Sequence, residues 1–395
     1  DDDNQDESCT YKSHFKDQSI PIYVRLGIFI FLLATSLLLL AADIGSGVTV
    51  DSILMEDGEV VEINAILNVS VISSVGKLWN TKSYPLAIFI AITSIGWPYV
   101  KLAIATYAWM MPYRNSRRRE LLIEIIDVLG KWSFVDIMVL VEIMVAFRST
   151  VDLGFGLKLE IVLVAQWGFY GFVVATMMSL LSTHVILHYH RKVNYHNNNN
   201  ANDSNINTAR DRLSTGFVVV AAISLLLSMI VYLAGVIVKS FEVTSTRGTE
   251  SESTSYSITS IGLEISNAYI DSSHAGTRFI QAMWFFLAVV MPLWCSFLFL
   301  ILYTFPGLSK IWMERIFTMA EIAFAWSCAE VLLISTVFAV LQMPIFGNGL
   351  VENDCTACFV ITSRILPEFA LLCVGTVLNV STNVWLYRKA HSVIY

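Results

Sequence analysis

Charge is what this 395-residue sequence has least of: 14% of its residues are Asp, Glu, Lys or Arg, where globular chains carry about a quarter. That shortage, beside 55% hydrophobic residues and a mean hydropathy of +0.63, excludes an ordinary soluble domain. Basic excess is lacking too. Lys+Arg 25 against Asp+Glu 32 leave a net charge of -7, so no chain-wide field attracts nucleic acid and no nucleic-acid partner is expected. The six cysteines (Cys9, Cys295, Cys328, Cys355, Cys358 and Cys373) are too scattered for a disulfide framework. Cys355 and Cys358 alone are close in sequence, and in a loop on an oxidising side they are expected to form a local disulfide. A nucleotide-binding loop, a nucleophile triad and a metal-hydrolase motif are all missing, so no enzyme activity, cofactor or resident metal is expected.

What is abundant is long apolar runs. A bilayer span takes roughly 20 apolar residues. Eight stretches qualify: 24–42, 85–111, 133–147, 161–187, 216–238, 279–305, 322–341 and 365–386. The third is short and carries Asp136 and Glu142. Basic clusters follow spans two (Arg114, Arg117, Arg118, Arg119), four (Arg191, Lys192, Arg210, Arg212), six (Lys310, Arg315) and eight (Arg388, Lys389). By the positive-inside rule these share the cytoplasmic side, which puts both termini there. Asn68-Val69-Ser70 is then an exposed glycosylation sequon, whereas the sequons at Asn202 and Asn379 fall in a cytoplasmic loop and inside a span. The chain opens at Asp1 rather than Met on an acid-rich stretch, so a preceding segment is expected to be trimmed or missing.

The chain also reads as written twice. Trp132-Ser133 and Trp326-Ser327 stand 194 positions apart, and the same offset carries Pro98 to Pro292, Pro112 to Pro306, Glu120 to Glu314, Asp127 to Glu321 and Asp136 to Glu330. Looser echoes join Ser70–Gly76 to Ser257–Gly262 and Ser182-Thr183 to Ser381-Thr382. The expected architecture is an all-α polytopic protein of two tandem parallel four-helix repeats. Its parts are an acidic tail (1–19), a first unit (20–192), an Asn-rich linker (193–213) and a second unit (214–391). Val61, Ile63, Ala65, Leu67, Val69 and Val71 alternate with Glu62, Asn64, Ile66, Asn68 and Ser70, as do Ile261, Leu263 and Ile265 with their neighbours. That period of two predicts a small outer sheet in each half, with a disordered loop as the alternative.

The repeated element is acidic-x4-Trp-Ser-x2-acidic: Asp127, Trp132, Ser133 and Asp136, then Glu321, Trp326, Ser327 and Glu330. The helix before it is expected to lie in the membrane interface, with Trp132 and Trp326 at headgroup level and Ser133 and Ser327 capping the next helix. An elbow that fixes a helix entry angle and a direct part in substrate handling both remain open. Lys101, just past Trp97-Pro98, falls at the depth of Glu142 and is predicted to pair with it, with Asp136 nearer the cytoplasm. The second half has Cys295 and Thr336 at the matching positions, so buried charge is kept in one half only. Lys101, Glu142, Asp136, Pro98 and Trp97 either line a polar pocket or lock two spans together. His184, His188 and His190 read as an interfacial basic cluster rather than a metal site.

Asp127-Val-Leu-Gly-Lys-Trp-Ser-Phe-Val-Asp136 resembles the Gly-[Lys/Arg]-Trp-Ser-Met-x-Asp-Val signature of the paraquat-inducible protein A family. The Trp326 copy has Ala323-Phe324-Ala325 in place of the Gly-[Lys/Arg] approach, and the Cys-x2-Cys pairs of the family's zinc ribbons are not found before either unit. The resemblance implies tandem four-span units of tetraspanin-like and claudin-like build, and a role in lipid or amphiphile transport between membranes. It also implies an extracytoplasmic protein partner beside the bilayer and a lipid substrate. The alternative is a non-transporting scaffold or auxiliary subunit that binds a partner through its outer sheets.

Overall fold

The computed structural model describes residues 20–56, 59–80, 84–111, 116–146, 149–154, 157–198, 215–247, 250–266, 275–305, 308–351 and 360–394. The first half begins with α1 (Ile22–Ile44), whose 23 residues at about 1.5 Å each are long enough to cross a hydrocarbon core. A hairpin follows, β1 (Val48–Glu56) and β2 (Glu59–Val69), and then α2 (Val71–Asn80). Next, α3 (Tyr84–Ile90), a π turn (Ala91–Gly96) and α4 (Trp97–Met110) form one helical rod. Helix α5 (Ser116–Gly130) passes through a 3-10 turn (Lys131–Phe134) into α6 (Val135–Ala146). Strands β3 (Ser149–Gly154) and β4 (Leu157–Ala165) lead into α7 (Trp167–Asn198).

The second half has the same order of elements, with one described strand rather than two before its last helix. It runs α8 (Thr215–Ile237), β5 (Lys239–Arg247), β6 (Glu250–Ser257), α9 (Ile258–Glu264), α10 (Ala275–Phe285), a π turn (Phe286–Val290) and α11 (Met291–Thr304). Then come α12 (Lys310–Trp326), α13 (Ala329–Val351), β7 (Val360–Ile365) and α14 (Phe369–Ile394). Each half thus pairs a helical bundle with a small antiparallel sheet, of order β2-β1-β4-β3 in the first and β6-β5-β7 in the second. The strand after each first helix pairs with the strand before each last helix: Val48 with Ala165 in one sheet, Phe241 with Ile365 in the other. That pairing sets α1 beside α7 and α8 beside α14. The halves meet where α6 packs on α13.

The two π turns have a chemical cause. Each precedes a proline in the first turn of the next helical stretch, Pro98 or Pro292. Proline has no N–H for the carbonyl four residues back, so the ladder must slip or find another donor. At Pro292 that carbonyl belongs to Ala288, and the Tyr232 hydroxyl of α8 donates to it at 2.5 Å. A glycine pair brings α14 equally close to α8. A Cβ at Gly235 would stand 2.6 Å from Leu372 Cα and one at Gly375 2.7 Å from Tyr232 Cα, so only hydrogen fits between these backbones.

Several expectations need correction. Seven described helices are long and apolar enough to cross a membrane, and the stretch 133–147 is not one of them. It forms the 12-residue α6, continuing α5, whereas the matching region of the second half is counted as one span, Ile311–Ile345. The stretch 161–165 belongs to β4 and Ile365 to β7, so the fourth and last spans begin at Trp167 and Phe369. The predicted strand at Val61–Val71 forms through Val69, but Ile261, Leu263 and Ile265 do not make one. Ser257 and Ser260 form a reciprocal capping box that starts α9 there, and Ser70 and Ser73 make the same exchange before α2. Cys355, Cys358 and the 1–19 tail lie outside the described residues, as does most of the 193–213 linker.

Replacing Tyr232 with Phe should leave the Ala288 carbonyl buried without a donor, at a cost of about 1–3 kcal/mol. The thermal unfolding midpoint of detergent-purified protein should fall accordingly. A midpoint equal to wild type would show that this carbonyl is satisfied another way.

Candidate functional site

The acidic face of α5 turns inward along α7, leaving Leu121, Ile125 and Leu129 exposed on the other face. The Arg191 guanidinium sits among three carboxylates, donating to Glu120 at 2.9 Å, to Glu124 at 2.8 Å, and to both oxygens of Glu321 at 2.5 and 2.9 Å. Glu321 comes from α12, so the planar fork of Arg191 joins the two halves, and Tyr387 adds a hydroxyl to Glu321 at 2.9 Å. Burial raises the Glu124 carboxyl above its ordinary range; Arg191 opposes the rise, while Glu321 and Glu120 add to it.

One turn further on, Asp127 is 2% exposed. It accepts from Thr183 at 2.5 Å and meets His184 Nδ1 at 3.1 Å. The other nitrogen of His184 accepts from the Trp326 indole at 3.1 Å, which makes the imidazole the Nδ1–H tautomer. Lys131, 1% exposed, pairs with Glu330 and lies 4.7 Å above the Phe324 ring. The signature residues of one half therefore hold those of the other: Asp127 reaches Trp326 through His184, and Lys131 reaches Glu330.

This arrangement corrects the interfacial picture. Trp326 is 6% exposed and tied into the core, and Trp132 is half-buried. Ser133 has no helix end to cap, because the backbone stays helical from Gly130 through Val135; Ser327 is the extended residue that ends α12. His184 is a bridging group rather than part of a solvated basic cluster, and His190 is buried.

The predicted Lys101–Glu142 pair is also replaced. Glu142, fully buried, accepts from Ser335 at 3.3 Å and from Thr336 at 3.0 Å on α13. Thr336 is the residue 194 positions on, so these matched positions touch across the boundary between the halves. Lys101 turns instead toward α5. A Cβ on Gly130 would fall on its Nζ and 2.8 Å from Leu180, and the nearby acid is Asp127. Glycine at position 130 is what lets the ammonium in, and Lys101 Nζ makes no hydrogen bond. Trp97 donates its indole N–H to the Leu129 carbonyl at 2.9 Å, which ties the Pro98 turn to the same elbow.

Asp136 stands apart from both. It lines a small void with Ser70 and Ser74 of the α2 start, Gly47 and Val48 of the β1 start, and Phe169 and Phe172 of α7. Asp43, near the end of α1, lies within electrostatic reach and accepts from Tyr99 at 2.8 Å. Asp43 and Tyr99 were not singled out from sequence, and His184 and Arg191 were read only as an interfacial cluster and a topology marker; Asp43 carried a signal, a charge ending an apolar run. Asn68 is exposed at the end of β2, its amide donating to Ser46 at 2.9 Å. Asn379 is fully buried, bonded to Ser296 at 2.9 Å. Glu120, Glu124 and His391 lie close enough to share an ion, but Arg191 already occupies the two carboxylates.

Helices of this length and apolarity, two small sheets and buried ion pairs between halves define an integral, multi-pass membrane protein. Residues 62–191, which include the signature elbow, match the family model of paraquat-inducible protein A (PqiA), so this third of the chain is similar to that family. It is 35% identical over 75 residues to the intermembrane transport protein PqiA of Escherichia coli (strain K12), and equally to that of Shigella flexneri. The aligned stretch covers 18% of this chain and 18% of the length of those relatives.

Truncating Arg191 to Ala should strand three carboxylates and cost about 3 kcal/mol or more, because an unpaired buried charge is left behind. Arg191→Lys should recover only part of this, since an ammonium cannot hold Glu321 with two parallel bonds. Thermal unfolding of the three proteins checks the order; equal midpoints for the Ala and Lys variants would contradict it.

Proposed function

We propose that this protein takes part in moving a lipid or related amphiphile between membranes, as two tandem parallel four-span units in which α5 and α6 together make the third crossing of the first unit, with both termini in the cytoplasm. The observation that carries the reading is the match to the PqiA family model over the segment that builds the elbow, together with the similarity to proteins named for intermembrane transport. The parallel element order of the two halves and the contact between Glu142 and Thr336 support the duplication. The first unit handles the substrate in this reading, because the acids without a fixed cationic partner, Asp43, Asp136 and Glu142, lie there. The outer sheets, where Arg364 pairs with Glu242 at 2.5 Å, are the surface offered to an extracytoplasmic partner.

The second reading, a non-transporting scaffold, draws on the close fit of Lys101 against Gly130 and Leu180, which leaves a headgroup no room at that position. Native mass spectrometry with lipidomics on the detergent-purified protein separates the two. Transport predicts a lipid class enriched over the host membrane, with occupancy reduced about tenfold in Asp136→Asn or Glu142→Gln, the loss expected for one hydrogen bond to a charged group. If no lipid is enriched and the variants change only the melting temperature, the scaffold reading takes its place.

A further inference from the structure

The elbows of the two halves are not equally neutralised. In the second half, Glu330 is held by Lys131, which reaches across from the first. Asp136 occupies the position of Glu330 in the first half, and the residue at the position of Lys131 in the second half is Ala325. The lysine that should answer Asp136 is therefore missing. Asp136 is 7% exposed, and no hydrogen bond or ion pair reaches its carboxylate among the described residues. Lys101 is no substitute, because its acid is Asp127. The neighbouring Asp43 adds a second negative charge, and its Oδ1 is buried without a partner. Two uncompensated carboxylates in such surroundings cannot both stay bare; each must take a proton or a cation.

The void beside Asp136 has room for a species of about the size of water. Its polar lining is oxygen. Ser74 gives its own hydroxyl proton to the Ser70 carbonyl at 3.0 Å, which leaves its lone pairs free, and Ser70 Oγ is an acceptor, taking the Ser73 N–H at 3.2 Å. Oxygen donors around a carboxylate suit a hard cation. A divalent ion wants six or more oxygens and keeps several waters, more than this space admits.

We propose that this void is a binding site for one monovalent cation, a proton or Na+, with Asp136 as its exchangeable anionic ligand and Ser74 and Ser70 as neutral ones. Asp43, oriented by Tyr99, is a second carboxylate within electrostatic reach of Asp136, and Phe169, Phe172, Ile137 and Leu140 complete the lining of the void. This gives the first unit an ion that can enter and leave where the second carries a fixed ammonium. The inference does not depend on lipid being the cargo.

The test is carbodiimide labelling of the full-length protein in detergent, since dicyclohexylcarbodiimide modifies protonated carboxyls in apolar settings, with the modified residue located by peptide mass spectrometry. Labelling of Asp136 should fall as pH rises from 5.5 to 9. A sodium site is shown if NaCl, but not choline chloride, protects Asp136, with Ser74→Ala needing about tenfold more salt, the cost of losing one oxygen ligand to a charge. A proton site is shown if labelling falls with pH and sodium gives no protection. Ala325→Lys, which restores the missing ammonium, should abolish labelling of Asp136 in a protein that still unfolds cooperatively. Absence of labelling at Asp136 in the wild type, or labelling that stays constant across this pH range, would overturn the proposal, because the acid would then be sealed or permanently neutral. Neither result alters the lipid measurement, so the two ideas fail separately.

Discussion

A charge withdrawn from water inside a membrane protein has to be answered by a partner within the protein, and here two such answers cross from one half of the chain to the other. Arg191 of the first half answers Glu321 of the second, Lys131 answers Glu330, and Asp127 is linked through His184 to Trp326. Each pair broken would leave an ion in an apolar setting at a cost of several kcal/mol, more than one apolar contact can offset. These polar links add specificity to the mutual position of the halves, whose buried apolar residues form one shared core. Apolar packing in a bilayer gains little by itself, since lipid tails are as apolar as the helix faces they would leave.

Two backbone constraints work beneath that. Proline at positions 98 and 292 forces a slip in the hydrogen-bond ladder, absorbed by a π turn in each half. Glycine supplies close approach where a side chain would prevent it: Gly130 admits the Lys101 ammonium, and Gly235 with Gly375 admits two backbones. The Pro98 turn and the Gly130 elbow are one assembly, because Trp97 bonds to Leu129. A change at the elbow is felt along α4 as well as in α5.

Much of the architecture was legible in the sequence, because span length and period-two alternation are local properties. The apolar runs marked the long helices, and the Val61–Val69 alternation marked β2. Where tertiary pairing decided, local pattern failed. Ile261, Leu263 and Ile265 alternate like a strand, yet two serines placed three apart begin a helix there. Trp132 and Trp326 look amphipathic, but a histidine on a distant helix draws the Trp326 indole into the core. The residues of the site were found more readily than their partners. Lys101 and Glu142 were matched by depth along the chain, a measure that ignores which way a helix face points; α6 turns Glu142 toward α13, and Gly130 gives Lys101 a closer resting place.

That last difference bears on how a duplicated scaffold acquires separate tasks. If the halves descend from one unit, a cation fixed at position 131 but not at 325 splits two matched carboxylates into different roles. Glu330 becomes a structural anion with its countercharge built in. Asp136 keeps the same place on its helix, beside a void and two hydroxyls, with no countercharge of its own. A static protein would gain by removing such an acid, since an apolar residue of similar volume packs at no electrostatic cost. Its presence next to space for a small ion is more readily explained by exchange than by stability. The half whose acid has no built-in countercharge is then the half that responds to ions, while the other holds it in place.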